Sequence, residues 1–222
     1  KKYLNKYFKK FDKKNFKKKS VPKYIKKIDS KTFFHNKELK QASIMFAGEG
    51  ISKNDPYFYS AYVMNYILGG GGFFSRLTTE VREKKGLVYS IYSYLYRYDK
   101  YSFFSGGAQT SNDNINKVIK IIREELMKIK NNGVTKEELK NAKNYLINSY
   151  VLRLDSNKKV ASILLNTQLD GLDIDFFEKR NDYINSVSLE DIKKISKKIL
   201  DEKQIFFLII GNPKNLKNVD NI

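Results

Sequence analysis

Residues 68–94 read Leu-Gly-Gly-Gly-Gly-Phe-Phe-Ser-Arg-Leu-Thr-Thr-Glu-Val-Arg-Glu-Lys-Lys-Gly-Leu-Val-Tyr-Ser-Ile-Tyr-Ser-Tyr, and no other part of the sequence is as informative about the fold. Its four glycines end a preceding helix, because glycine adopts the backbone conformations that close helices. Residues 73–85 return to helical spacing until Gly86 ends a second helix. Leu87 then begins a segment rich in tyrosine and serine, which predicts a strand. The stretch therefore predicts a helix end, a glycine turn, a second helix and a strand in succession.

The predicted strand is the first of a hairpin. Residues 87–98 and 101–109 are rich in tyrosine, phenylalanine and serine, and the Asp-Lys pair between them favours a turn. Upstream, residues 39–49 have the composition of a strand. An apolar helix is predicted from Asp55 to Leu68, because the proline at position 56 suits the first turn of a helix.

The second half of the chain is mostly helical in pattern. Thr135-Lys-Glu-Glu and Ser188-Leu-Glu-Asp are typical of helix starts. Helices are predicted at 115–130, 135–154, 156–170, 174–184 and 188–200, and a buried strand at 204–210. Strands at both ends with helices between them predict an α+β fold, a two-layer sandwich with helices packed on one face of a mainly antiparallel sheet.

The composition excludes several kinds of chemistry. The chain has 222 residues, no cysteine and one histidine, His35. Without cysteine there is no disulfide, no thiolate nucleophile and no cysteine metal ligand. A zinc hydrolase normally needs at least two imidazoles or an equivalent set of ligands, so no metal site is expected from this chain alone. No apolar run approaches the ~18 residues of a membrane-spanning helix, so no membrane span is predicted.

The net charge of +19 comes mostly from one end of the chain. Residues 1–28 hold 13 lysines against Asp12 alone, a charge of +12, which leaves +7 for residues 29–222. No nucleic-acid-binding motif accompanies this charge, so no specific nucleic-acid partner is predicted. Residues 1–18 are interpreted as the last helix of a preceding homologous domain, residues 19–30 as a linker, and residues 31–222 as the domain itself.

The 68–94 stretch resembles the second-domain signature of the pitrilysin and mitochondrial-processing-peptidase family of zinc peptidases. The shared features are the glycine turn, the Ser-Arg-Leu helix at 75–77, and Arg-Glu-Lys-x-Gly-Leu-x-Tyr-Ser at 82–90. The resemblance covers most of residues 39–211. It is closest to the small bacterial members in which the zinc and non-zinc halves are separate proteins that pair, and it implies the α+β metallohydrolase fold of that family.

The catalytic half in that family carries an inverted zinc motif, His-x-x-Glu-His. No such motif occurs here, since His35 stands in His-Asn-Lys-Glu-Leu and is interpreted as a surface or linker histidine before the first strand. The resemblance therefore implies that this chain binds no cofactor and does not cut peptides alone. Zinc is expected in a homologous partner half.

Two residues match the chemistry that the resemblance implies for a non-zinc half. Arg82 and Tyr89 correspond to an arginine and a tyrosine, seven residues apart, that reach across a closed chamber to the bound peptide. A guanidinium and a phenol both donate hydrogen bonds without first losing a proton, which suits them to a substrate carbonyl and its developing oxyanion. A helix end and the start of the next strand can bring both side chains together around Gly86.

The other candidate substrate-binding residues are Gly69, Gly70, Gly71, Gly72 and Arg76. The glycine run occupies the place of a glycine-rich loop that handles presequences in the mitochondrial relative, although it is much shorter here. Peptide contact and helix termination with close backbone packing are both open interpretations. Arg76 has two interpretations as well: it binds a carboxylate or packs structurally.

The first hairpin strand has tyrosines at alternate positions: Tyr92, Tyr94, Tyr96 and Tyr98. Regular alternation predicts that these four side chains lie on one face of the sheet and Tyr89 on the other. A tyrosine-lined sheet face could grip an extended peptide. Core packing under the helices explains the same pattern and is the preferred interpretation.

These features predict the substrate-binding, non-zinc half of a zinc metallopeptidase. Its expected partners are a zinc-bearing homologous domain or subunit and an extended peptide substrate. The alternative is a non-proteolytic structural paralogue, like the core subunits of respiratory complexes. Bacterial relatives of this type are generally exported, so the resemblance implies the periplasm, with the mitochondrion as the alternative compartment.

Overall fold

A computed structural model describes residues 1–9, 30–52, 54–97, 102–169, 171–173, 175–213, 216, 220 and 221. Within these residues, six strands form one sheet. The strands are β1 (Thr32–Asn36), β2 (Ala42–Glu49), β3 (Val88–Arg97), β4 (Ser102–Thr110), β5 (Phe206–Gly211) and β6 (Asp220–Asn221). The helices are α1 (Lys2–Phe8), α2 (Phe58–Asn65), α3 (Ile115–Asn132), α4 (Lys136–Asn148), α5 (Asn157–Leu169), α6 (Phe176–Ser186) and α7 (Leu189–Ile199).

The strand order across the sheet is β3-β4-β2-β5-β1-β6. The neighbouring pairs β3–β4, β4–β2 and β2–β5 are antiparallel, whereas β1 runs parallel to both β5 and β6. The sheet is therefore mainly antiparallel with a parallel edge. The predicted α+β class is confirmed, and β3 lies at the other edge of the sheet.

The hydrophobic core lies between the sheet and the helices. Alternate residues of the central strands are buried, and the ring of Phe46 lies 5.8 Å from that of Phe104 and 5.9 Å from that of Phe207. The helices above them begin as the sequence predicts, because Thr135 and Ser188 both form capping boxes. The residues between the buried ones point to the opposite side of the sheet, which we call the open face.

The sequence interpretation missed β1. His35 lies within this strand, exposed and paired in register with Ile210, and not in a linker before the first strand. The segment is short, and its place in the sheet depends on pairing with the apolar strand β5 from the far end of the sequence. The predicted helix 135–154 also ends early, since α4 stops at Asn148 and a 3₁₀ turn follows at Val151–Leu154.

Some predictions fall partly or wholly on undescribed residues. The linker at 19–30, except Ser30, and the hairpin turn with Tyr98 lie outside the described residues. Of the predicted helix at 1–18, α1 is the described part, and its residues Tyr3, Leu4, Tyr7 and Phe8 are exposed. No helix among the described residues combines the length and apolar character needed to cross a membrane.

Candidate functional site

A glycine turns the chain from the second helix of the 68–94 stretch into β3. Thr78–Glu83 forms a π-helical turn, and the Gly86 amide donates a hydrogen bond of 2.8 Å to the carbonyl of Arg82. Gly86 has φ +60°, a left-handed conformation that costs a residue with a β-carbon about 1–2 kcal/mol. This tight turn places Tyr89, at the start of β3, beside Arg82.

The Arg82 guanidinium contacts two aromatic rings. Its Cζ is 4.6 Å from the ring centre of Phe73 and 5.7 Å from that of Tyr89. Such cation–π contacts orient the guanidinium without consuming its N–H donors. Arg82 forms a long ion pair with Glu83, at 3.5 Å between nitrogen and oxygen. Most of its N–H groups therefore have no acceptor within the described part of the chain. Arg82 is therefore both held in place and able to bind an acceptor.

Tyr89 is 82% exposed and lies on the open face. Val88 and Ile91 are both buried in the core although they are three residues apart, because a β-bulge between them inserts one extra residue. Tyr89 and Tyr92, which follow these two residues, consequently lie on the same side of the sheet. The prediction that Tyr89 faces away from the other tyrosines was wrong, since regular alternation takes no account of a bulge.

Four more aromatic residues continue the open face from Tyr89: Tyr92, Tyr94 and Tyr96 of β3, and Phe103 of β4. The ring centres of Tyr92 and Tyr94 are 5.2 Å apart, those of Tyr94 and Tyr96 6.2 Å, and those of Tyr96 and Phe103 4.7 Å. The three tyrosines are exposed, whereas the helices cover the opposite side of the sheet. Core packing, the preferred interpretation of this pattern, was therefore wrong, and the exposed-face alternative fits the structure.

The glycine run is tightly packed at its start. Gly69 is buried within a π-helical turn, Tyr66–Gly70, that extends α2. A β-carbon on Gly69 would lie 2.5 Å from Ser93 Oγ and 2.8 Å from Ser93 N. Ser93 in turn donates a hydrogen bond of 2.8 Å to Asn65 Oδ1, and both residues are buried. At Gly69 the structure fits helix termination with close backbone packing, which was one of the two open interpretations.

We expect Gly69→Ala to lower the free energy of unfolding by about 1–3 kcal/mol, because the added methyl group overpacks the contact with β3. The matched control is Gly72→Ala, since a β-carbon on Gly72 meets nothing within 4 Å and only its φ of +58° opposes the change. Urea unfolding followed by circular dichroism measures both. A smaller loss for Gly69→Ala than for Gly72→Ala would contradict the packing explanation.

Arg76 is occupied by a carboxylate of the same chain. Its Nε and one terminal nitrogen lie 2.6 and 2.7 Å from the two carboxylate oxygens of Glu138, in a bidentate pair. Burial alone would raise the pKa of Glu138, but hydrogen bonds from Arg76 and from the Thr135 amide outweigh it and lower the pKa. The pair ties the start of α4 to the turn after the glycine run. Arg76 therefore does bind a carboxylate, but that carboxylate belongs to the same chain and the pair has a structural role.

The residues present do not fit a zinc ion. Among the described residues, no three side chains of histidine, aspartate or glutamate come together as a metal site requires. His35 lies on β1, across β4, β2 and β5 from the edge strand that carries Tyr89. We therefore assign no catalytic step to a metal on this chain.

The comparisons with known proteins agree with the arrangement of a non-zinc domain. The family described as the peptidase M16 inactive domain matches residues 1–146. The chain belongs to the M16 peptidase family. Within that family it resembles the inactive domain in structure as well, since the crystal structure of a peptidase M16 inactive domain from Pseudomonas fluorescens superposes with a TM-score of 0.77. That similarity, at 28% identity, covers 85% of this chain and 45% of the other.

Two relatives in sequence have different descriptions. The uncharacterized zinc protease YmxG of Bacillus subtilis is 32% identical over 174 residues, which are 78% of this chain and 42% of that protein. The non-peptidase homolog YmxG of Helicobacter pylori is 30% identical over 155 residues, which are 70% of this chain and 36% of that protein. The chain thus spans less than half the length of these M16 relatives.

Sequence reasoning missed Phe73, which lies beside the candidate site formed by Arg82 and Tyr89. It is 65% exposed, and its ring lies closer to the Arg82 guanidinium than that of Tyr89 does. The residue stands at the start of the predicted second helix, and its exposure was not foreseen. Two neighbouring phenylalanines directly after four glycines were the available signal, because a chain that turns sharply at glycines can leave the next side chains at the surface.

Proposed function

We propose that this domain is the peptide-holding, non-zinc half of an M16 metallopeptidase. It pairs with a zinc-bearing homologous domain or subunit, and together they cleave an extended peptide. The observation that carries the proposal is the exposed phenol of Tyr89 held against the oriented guanidinium of Arg82. A purely structural domain gains little from an exposed tyrosine next to an arginine whose N–H groups mostly have no acceptor.

Arg82 and Tyr89 supply donors for the carbonyl of the bond to be cleaved. Negative charge develops on that oxygen as the carbonyl is attacked, and donors already in position stabilise it more in the transition state than in the bound substrate. Zinc in the partner half would supply the Lewis acid and the activated water. The protein groups of this half therefore bind and orient the peptide, and they exchange no proton.

The open face and the sheet edge support an extended peptide as the ligand. β3 is the terminal strand of the described sheet, but Asn65 Nδ2 donates a hydrogen bond of 3.2 Å to the Ser93 carbonyl and Gly69 packs against the Ser93 backbone. An extended peptide would therefore pair with the edge of β3 on either side of Ser93 and not along its whole length. An extended chain that pairs with such an edge gains main-chain hydrogen bonds, while its alternate side chains meet one face of the sheet. Here that face presents Tyr92, Tyr94 and Tyr96, whose rings favour apolar, aromatic and cationic side chains.

We expect Tyr94→Ser to weaken binding of an unfolded peptide rich in arginine and leucine by about tenfold, because one aromatic contact is lost. Fluorescence anisotropy of the labelled peptide with the 222-residue chain measures the Kd. The matched control is Tyr183→Ser, which removes a similarly exposed tyrosine that stacks on Tyr59 away from the open face. Equal loss in both variants would contradict peptide binding on the open face.

The alternative function is a scaffold without proteolysis. The description of the Helicobacter pylori relative as a non-peptidase homolog supports it. A scaffold would still pair with a homologous half, but substitutions of Arg82 and Tyr89 would change neither peptide binding nor turnover. The two functions therefore differ in what the same variants do.

A further inference from the structure

A second concave region lies away from the Arg82–Tyr89 site. It is a cavity of about 390 Å³ on the helix side of the sheet, between α2, α5, α6 and the turn at Val151–Leu154. Arg97, at the other end of β3 from Tyr89, is one of the residues that line this cavity. Eight residues separate Tyr89 from Arg97, which corresponds to a distance on the order of 25 Å along an extended strand. We call this region the arginine cavity, because Arg97, Arg153 and Arg180 all line it.

Arg180 is buried there without a carboxylate partner among the described residues. Only 6% of it is exposed. Its two terminal nitrogens donate to Asn181 Oδ1 at 3.1 Å and to the Leu146 carbonyl at 3.2 Å, and its Cζ lies 4.0 Å from the ring centre of Tyr150. All three partners are neutral. Buried charges in proteins are normally paired with an opposite charge, so this guanidinium leaves a positive field in the cavity.

Arg97 and Arg153 add to that field. Arg97 lies over the ring of Phe58 at 5.2 Å, and neither arginine forms an ion pair within the described ranges. Three guanidinium groups around one cavity repel each other unless an anion joins them. Arg97 also lines the neighbouring cavity, where Asp175 pairs with Lys179, Asp55 lies 3.6 Å from Lys198, and Asp173 forms no ion pair among the described residues. These carboxylates offset part of the Arg97 charge, whereas Arg153 and Arg180 line the arginine cavity and not its neighbour.

The uncharged part of the lining is aromatic and polar. Tyr59, Tyr62 and Tyr150 stand around the arginines. Burial raises the pKa of Tyr59 to about 12, so its hydroxyl remains protonated and can donate a hydrogen bond at neutral pH. The aromatic rings can contact the apolar part of an organic ligand. A small inorganic anion would leave these rings in contact with water. The volume, the walls and the charges together fit an organic anion.

We propose that the arginine cavity binds a carboxylate group of an acidic peptide. The planar fork of arginine matches the two oxygens of a carboxylate, and the tyrosine rings cover the chain that carries it. The carboxylate belongs either to an aspartate or glutamate side chain or to the carboxyl terminus. This site is independent of the proposed peptidase function, because it needs neither Tyr89 nor a partner half.

The test is isothermal titration of the 222-residue chain at neutral pH and low salt, where electrostatic binding is least screened. One probe is a short peptide with blocked ends and a central glutamate. A second has glutamine in place of glutamate and blocked ends, and a third has glutamine and a free carboxyl terminus. We expect the first or the third to bind, according to the source of the carboxylate, and the fully neutral peptide to bind at least about tenfold more weakly.

Variants connect the binding to the cavity. Arg97→Gln and Arg153→Gln change exposed residues and should each weaken binding of the carboxylate peptide by about tenfold. Arg123→Gln is the matched control, because this arginine also lies over a ring, that of Phe207, away from the cavity. Both cavity variants leave the buried Arg180 in place, so we expect them to keep the fold. A loss of peptide binding in these variants would then report on the cavity itself.

Three results would overturn the proposal. The first is equal affinity for the neutral and carboxylate peptides. The second is an affinity for the carboxylate peptide that Arg97→Gln and Arg153→Gln leave unchanged. The third is tighter binding of inorganic phosphate than of either carboxylate probe, since the cavity would then select a small inorganic anion.

Discussion

Tyr89→Phe should lower the kcat/KM of the proposed two-half M16 peptidase by about 100-fold or more, the loss typical of removing one oxyanion donor. The substitution deletes one hydroxyl group from a side chain that is 82% exposed, so the fold has no reason to change. Because the phenol is proposed to bind the carbonyl oxygen most strongly as charge develops, kcat should fall more than KM rises. Initial rates with a quenched fluorescent peptide, on this chain mixed with its zinc-bearing half, measure both constants.

The matched control for that variant is Tyr92→Phe. Tyr92 lies on the same open face, is 42% exposed and follows Tyr89 by three residues, but its hydroxyl lies over Gly107 of β4. Its loss should change kcat/KM by less than about threefold, because a rim contact is worth a small fraction of an oxyanion donor. If both variants keep wild-type kcat/KM, Tyr89 has no role at the scissile bond.

Arg82→Ala is expected to cost at least as much as Tyr89→Phe, about 100-fold or more in kcat/KM, because it removes several donors and the charge together. Arg82→Lys should recover part of the activity, since lysine keeps the charge but lacks the planar fork. The same peptide assay measures all three proteins. Thermal unfolding of each variant shows whether the fold is retained, and the ring contacts of Arg82 with Phe73 and Tyr89 predict only a small change there.

Arg123→Ala is the control for the second prediction. It removes another arginine that lies over a ring, at 4.8 Å from Phe207, on the helix α3. Its kcat/KM should stay at the wild-type value. An Arg82→Ala variant that is as active as Arg123→Ala would remove Arg82 from the binding of the substrate.

Local features of the sequence predicted the elements that build the site. Gly86 ends a helix in a left-handed conformation, and Thr135 and Ser188 begin helices through capping boxes, so each boundary is encoded within a few residues. The proximity of Arg82 and Tyr89 follows from the turn at Gly86 alone. The turn does not determine the side of the sheet on which Tyr89 lies. The bulge between Val88 and Ile91 changes the alternation of side chains on which such a prediction rests.

Long-range contacts account for what the sequence could not reveal. Arg76 and Glu138 are 62 residues apart, and nothing in either segment indicates that they form a bidentate pair. The place of β1 depends in the same way on β5, which comes near the end of the chain. The convergence of Arg97, Arg153 and Arg180 on one cavity likewise arises only from the packing of distant elements.

The proposed division of labour between two halves would account for the residues that this domain has and lacks. It has the M16 fold, an oriented arginine, an exposed tyrosine and an open aromatic face, but its described residues do not provide a zinc site. Pairing with a zinc-bearing half, peptide binding and the periplasmic location stay predictions. Pairing is the most important of these predictions, because the changes in kcat/KM expected for the Arg82 and Tyr89 variants both require it.

Reconstitution of peptidase activity tests this division most directly. The 222-residue chain and a homologous half that carries His-x-x-Glu-His are purified separately, and hydrolysis of an unfolded peptide is measured with each alone and with both, in the presence of zinc. We expect little hydrolysis by either half alone and a rate that saturates as this chain is added to the zinc half. A zinc half that is equally active with and without this chain would show that this domain has no part in the cleavage of peptides.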